Sequence, residues 1–201
     1  MAFRDDDAAA DHNDEAAPPP PPADWAQQLL HFWFAAHDQS HWFRGGPEFD
    51  QQIADLAGEW LPALRILPAS TFLTDEDSAL AATILFDQVP RNLYRGSAQA
   101  FATDTLAVAI ARGITAKGWD QGWDKNRRLF AYLPFEHSED MDDQRESLRL
   151  FSQLNDPALM DFAQKHYDIV ARFGRFPHRN DVLGRKSFPE EADAIAAGKN
   201  W

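Results

Sequence analysis

The sequence predicts an all-α fold of about eight helices, on three observations. Apolar residues recur at spacings of three and four along most of the chain, and residues that start and stop helices punctuate those stretches. No run of β-branched residues alternates with a period of two, so no significant sheet is expected.

The first helix opens behind Asp24 as N-cap and carries Trp25, Leu29, Phe32, Trp33 and Ala36 on one face. Pro47 suits the first turn of the second, whose stripe is Phe49, Ile53, Leu56 and Trp60. Thr74 and Asp77 resemble a capping box for the third, with Leu80, Ile84 and Asp87 on one side and Pro90 as its end. The fourth runs from about Ala98 to Arg112, with Ser97 as N-cap and Gly113 as its stop. The fifth, from about Asp120 to Tyr132, should finish ahead of Pro134, because the residue before a proline is pushed out of the α region. Asp140 to Leu154 makes the sixth. Asp156-Pro157 opens the seventh, which carries Leu159, Phe162, His166, Ile169, Val170 and Phe173 up to Gly174. Ser187 and Glu190 form a capping box for a short eighth helix closed by Gly198.

The 201 residues hold 32 acids against 19 bases, for a net charge of −13. That charge is uneven. From Met1 to Asp24 seven acids face the single base Arg4, and Pro18 to Pro22 form an unbroken proline tract. Residues 1–23 therefore read as a disordered acidic, proline-rich leader, and 24–201 as a single helical domain. The leader lacks the basic start and apolar stretch of a secretory signal, and Trp25 to His37 is too short and too interrupted to span a membrane. The acidic balance argues against nucleic acid and anionic membranes as partners. With no cysteine there is no thiol nucleophile and no Cys-ligated metal site. These features describe a soluble, cytoplasmic protein.

Three polar segments break the helical pattern. In the first, Asp87 to Gly96, the carboxylate of Asp87 shares an apolar face with Leu80 and Ile84. A buried carboxylate must be paired, and Arg91 and Arg95 are near enough in sequence to serve. The second, Tyr132 to Asp140, is dense in acid/base groups. The third, Arg172 to Asn180 with Gly184-Arg185 just after, sets four guanidiniums among Phe173, Phe176 and Pro177, too tightly for an ordinary solvated loop.

These segments carry a resemblance. Leu30 to Phe34, Asp87 to Gly96, Leu133 to Asp140 with Gln144 and Ser147, and His166 to Arg185 together resemble the bacterial family known as domain of unknown function 924. The resemblance runs from about Trp25 to Trp201. Phe86 and Val89 stand where that family usually has Leu and Phe, a change in packing rather than chemistry. It implies a tetratricopeptide-like helical array and no particular reaction.

Neither a P-loop nor the motifs G-x-G-x-x-G, G-x-S-x-G or H-E-x-x-H occur. The polar segments are instead expected to converge on a pocket for a small anionic or carboxylated ligand, or a peptide. Gln88, Arg91, Asn92, Arg95, Arg172, Arg175, Arg179 and Arg185 are the binding candidates, since guanidinium forks match such oxyanions. Glu136, His137 and His178 are the acid/base candidates. Asp87 is read as a structural buried carboxylate. No metal is predicted and the sequence leaves any cofactor unknown, but a metal-assisted hydrolase would draw on His137, Glu139, Asp140 and His166. A protein-binding scaffold with a purely structural polar network is the remaining alternative.

Overall fold

The structure, a computed structural model, describes residues 18–196. Residues 1–17 of the expected leader, and Gly198 at the expected close of the last helix, lie outside the described residues. Pro18 to Pro22 adopt no regular secondary structure.

Ten α-helices and no strand occur among the described residues. They are α1 (Trp25–His31), α2 (Gln39–Trp42), α3 (Pro47–Ala57), α4 (Trp60–Leu64), α5 (Glu76–Leu93), α6 (Asp104–Lys117), α7 (Lys125–Glu136), α8 (Met141–Ser152), α9 (Pro157–Phe173) and α10 (Pro189–Ala196). None of them is long and apolar enough to cross a membrane. The sixth and seventh expected helices appear as α8 and α9, capped by Asp140 and Asp156 as their sequences indicate.

The architecture is organised by α5, in which every residue from Ala79 to Pro90 is buried. A helix enclosed all round needs neighbours on all sides, and α5 packs against α1, α3, α6 and α7. Phe86 from α5 joins Trp33, Phe130, Tyr132 and Phe135 in the fully buried core. Truncating Phe86 or Phe130 to alanine would cost about 3–5 kcal/mol. α8 then packs on α7, and α9 on α8, which closes the far side.

Helix boundaries depart from the sequence expectation where long-range contacts override local signals. Pro90 does not end α5. A proline there strips the Phe86 carbonyl of its helical partner, and the Thr103 hydroxyl, from across the fold, donates to that carbonyl at 2.6 Å. Gly113 does not stop the helix either. It sits inside α6 because a Cβ at that point would lie 2.3 Å from the Leu73 side chain. The stop is Gly118, whose φ of 68° is left-handed.

Pro134 likewise lies within α7, which starts later than expected, behind the Asp124 cap. The cap of α5 is Asp75, which accepts from the Ser78 amide, rather than a Thr74 box. The first predicted helix widens into a π turn at Phe32–Ala36. Its Trp33 carbonyl accepts the Trp42 indole N–H at 2.8 Å. That bond anchors Trp42 and the turn after it, at the edge of the cavity described next.

Candidate active-site cavity

A cavity of about 630 Å³ opens between α5, α7, α9 and two turns, Trp42 to Gly45 and Pro177–Arg179. Leu129, Leu133, Phe101, Phe151 and Leu159 give it apolar walls. Phe43 and Phe162, 54% and 51% exposed, are its most solvent-facing aromatic wall residues. The polar groups are Gln88, Arg91, Asn92, Arg95, Glu136, His137, His166, His178, Arg179 and Arg44.

Asp87 lies behind this wall, 1% exposed. Its two oxygens stand 2.8 and 3.0 Å from His137 Nδ1, and Gln88 Nε2 donates to Oδ2 at 2.5 Å. Arg91 Nη1 lies 3.3 Å from Oδ1. Burial alone would raise the Asp87 carboxyl, but Arg91 and His137 outweigh it and hold the group well below the usual carboxylate range. An ionised carboxylate only accepts, so Nδ1 of His137 carries the proton and Nε2 is left as the ring's acceptor. Burial, against the pull of Asp87 and with Arg91 and Arg179 nearby, lowers the His137 pKa, so the ring stays neutral. No hydrogen bond engages Nε2 among the described residues.

His137 is the C-cap of α7, and Gln144 fixes that helix end. Its amide donates to the carbonyls of Glu136 and Ser138, both at 2.7 Å. Glu136, the residue just before it and the last of α7, is 4% exposed. Burial, and then the charge of Asp87, pushes its carboxyl up to about 8. At neutral pH it is mostly protonated. Its Oε1 lies 3.4 Å from His166 Nδ1, and its buried Oε2 has no partner among the described residues. His166 Nδ1 donates to the Phe162 carbonyl at 2.9 Å, and burial, with His137 and Arg179 adding to it, lowers the ring to about 3. Burial beside Arg179 takes His178 down to about 4. The imidazoles here are neutral at physiological pH.

Asp104, from the first turn of α6, holds two guanidiniums. Arg91 binds it through both nitrogens, at 2.7 and 2.9 Å, and Arg179 reaches it at 3.2 Å. Arg179 is 6% exposed and lies between Phe101 and Phe176, 4.5 and 4.4 Å from the ring centres. Burial and the neighbouring Arg91 lower its pKa to about 10, so it remains charged. Its Nε is buried without a partner among the described residues. Arg95 does not serve Asp87; it binds Asp50 through Nε and Nη2 instead, at 3.0 and 2.9 Å. Arg44 has no ion-pair partner among the described residues.

The structure thus brings Gln88, Arg91, Asn92, Arg95, Arg179, Glu136, His137, His166 and His178 to one cavity. It does not bring Arg172, Arg175 or Arg185 there. Arg175 binds Glu191 at 2.7 and 2.8 Å and lies over the Phe188 ring, which fastens the C-terminal segment. Arg185 binds Glu139 at 2.6 and 2.9 Å, and Arg172 lies over Phe173. These three are corrections to the expected binding set: their partners are parts of the chain.

Glu139 is committed to Arg185 and to the Phe176 amide, and Asp140 to capping α8. Among the described residues no group of three or more His, Asp or Glu side chains is arranged to hold a metal ion. Sequence reasoning missed Asp104, Phe101 and the Trp42 to Gly45 turn. The Arg44-Gly45-Gly46-Pro47 sequence was the available signal for that turn, since paired glycines before a proline mark a tight, unusual backbone.

Comparison with known proteins agrees with this picture at the level of family and fold. The family described as bacterial protein of unknown function (DUF924) matches residues 29–199. A solved structure of a protein of unknown function from Agrobacterium tumefaciens is similar, with 37% identity and a TM-score of 0.80. The similarity covers 86% of this chain and 97% of that one. No curated protein matches the chain.

Proposed function

The chain belongs to the bacterial family of unknown function DUF924, and on that footing we propose that its cavity binds a small amphipathic monoanion, a carboxylate joined to an apolar body. The observation that carries this reading is that two residues of one cavity lining, Glu136 and Arg179, each hold a buried polar atom without a partner among the described residues, Oε2 and Nε. Buried donors are nearly always satisfied, and a protonated Glu136 and the Arg179 N–H both ask for an acceptor oxygen.

Charge supports a monoanion. Arg44, Arg91, Arg95 and Arg179 stand against the carboxylates of Asp50, Asp87 and Asp104, which leaves one cation in excess. The phenyl and leucine walls suit an apolar tail, and the volume lies in the range of small-molecule sites. Metal-assisted hydrolysis lacks this support, because two of its four ligands are engaged elsewhere. A tetratricopeptide-like scaffold accounts for neither orphaned donor.

Calorimetric titration with octanoate, 1-octanol and inorganic phosphate tests the proposal. Octanoate is expected to bind saturably at one site, with octanol and phosphate each at least tenfold weaker. Equal binding of octanol and octanoate would remove the anionic half of the reading, and no octanoate binding would remove all of it.

A further inference from the structure

Resting on that pocket, we infer that the cavity is also a catalytic site that hydrolyses carboxylic esters with an apolar acyl group, His137 acting as general base and Glu136 as general acid. The carboxylate of the proposed binding mode is then the product.

Three arrangements carry this inference. His137, a residue of the cavity lining, is held by both oxygens of a buried carboxylate through Nδ1, which fixes its tautomer and leaves Nε2 as a proton acceptor. Glu136, the adjacent residue, belongs to the same cavity lining and has a buried unpartnered oxygen and the proton it keeps in that site. Base and acid with separated environments, side by side, are the requirement for acid–base catalysis at neutral pH. The third is Arg179, a charged guanidinium on the same cavity lining, beside which an oxyanion can form. With no cysteine in the chain and Ser147 buried outside the cavity lining, the nucleophile is water.

The step balances without a co-reactant. Water oxygen bonds to the acyl carbon as Nε2 of His137 takes its proton, and the carbonyl electron pair moves onto oxygen. When that oxyanion collapses, the bond to the leaving oxygen breaks and the leaving group takes the Glu136 proton. The proton on His137 returns to Glu136 through solvent, so ester and water give acid and alcohol. Asp87 acts here as a positioning residue.

Hydrolysis of p-nitrophenyl hexanoate and of ethyl hexanoate by the full chain tests this, with octanoate as competitor. The wild type is expected to turn over both esters saturably, to be inhibited by octanoate, and to lose about 100-fold in H137Q, whose fold is checked by its melting temperature. E136Q is expected to lose at least tenfold more on ethyl hexanoate, whose leaving group needs a proton, than on p-nitrophenyl hexanoate, whose leaving group does not. D87N should lower kcat with little change in KM. A wild-type rate equal to that of folded H137Q would overturn the catalytic inference, as would activity insensitive to octanoate. If octanoate binds while neither ester is turned over, catalysis falls and the binding proposal stands. If octanoate fails to bind, both fall.

Discussion

Nδ1 of His137 sits 2.8 and 3.0 Å from the two oxygens of Asp87, a residue fifty positions earlier in the chain. The contact ties the end of α7 to α5, behind the wall of the cavity. The same carboxylate is reached by Gln88 and Arg91, so one buried ion organises three polar side chains.

Replacing Asp87 with alanine would take the acceptor from His137 Nδ1 and Gln88 Nε2 and leave Arg91 with Asp104 as its sole carboxylate partner among the described residues. D87A is expected to destabilise the fold by about 3–5 kcal/mol, the usual consequence of removing one partner of a buried ion pair. Urea denaturation checks this, and a loss below about 1 kcal/mol would mean that the network carries little of the fold.

Glu136 has a measurable pH signature. Its pKa is raised to about 8 in the folded chain against 4.5 for the free side chain, so between those values the folded state holds a proton that the unfolded state has released. Its contribution is fully present below pH 4.5 and is lost as pH rises towards 8, at no more than about 1.4 kcal/mol per pH unit. His166 and His178, lowered to about 3 and 4, act in the opposite sense below pH 6.5. The difference in stability between wild type and E136Q cancels those histidine contributions. That difference should fall steadily from pH 5 to 8; a flat difference would show that Glu136 is ionised throughout.

At the cavity edge, Gly45 has a φ of +58°, and a Cβ there would lie 2.7 Å from Arg95 Nη2. G45A therefore combines left-handed strain with displacement of the Arg95 guanidinium from Asp50. It is expected to cost about 1–2 kcal/mol and to weaken octanoate binding several-fold. Unchanged stability and affinity would show that this turn is not part of the site.

Arg185 provides the converse case. Its paired bonds to Glu139 hold the segment after α9 but lie outside the cavity lining. R185A should cost about 2 kcal/mol, or roughly 4–8 °C in melting temperature, while octanoate affinity stays within about twofold. A large loss of affinity without loss of stability would return Arg185 to the binding set.

Much of the fold was legible because α8 and α9 state their own boundaries: Asp140 and Asp156 cap them, and Gly174 ends the second. α5 did not, because what lets Pro90 sit inside it is a hydroxyl thirteen residues further on, a contact no local pattern announces. The site divides in the same way. Asp87 betrays itself as a carboxylate on an apolar face, and its neighbours follow from it. Asp104 reads locally as a helix-start acid, and only the fold reveals that it carries two arginines. The interleaving of arginine with phenylalanine from Arg172 to Arg179 correctly signals partnered guanidiniums. It cannot say whether the partner is a ligand or Glu191, and for Arg175 it is Glu191.

The central claim is that this cavity takes an amphipathic carboxylate. Leu159 is half-buried on its wall, so L159W can fill the cavity without forcing a tryptophan into the packed core. Titration of octanoate into wild type and L159W, each checked for an unchanged melting temperature, is the most direct measurement. One saturable site in the wild type, weakened at least tenfold in L159W, is the predicted result. Equal binding by the two proteins, or none by the wild type, would contradict it.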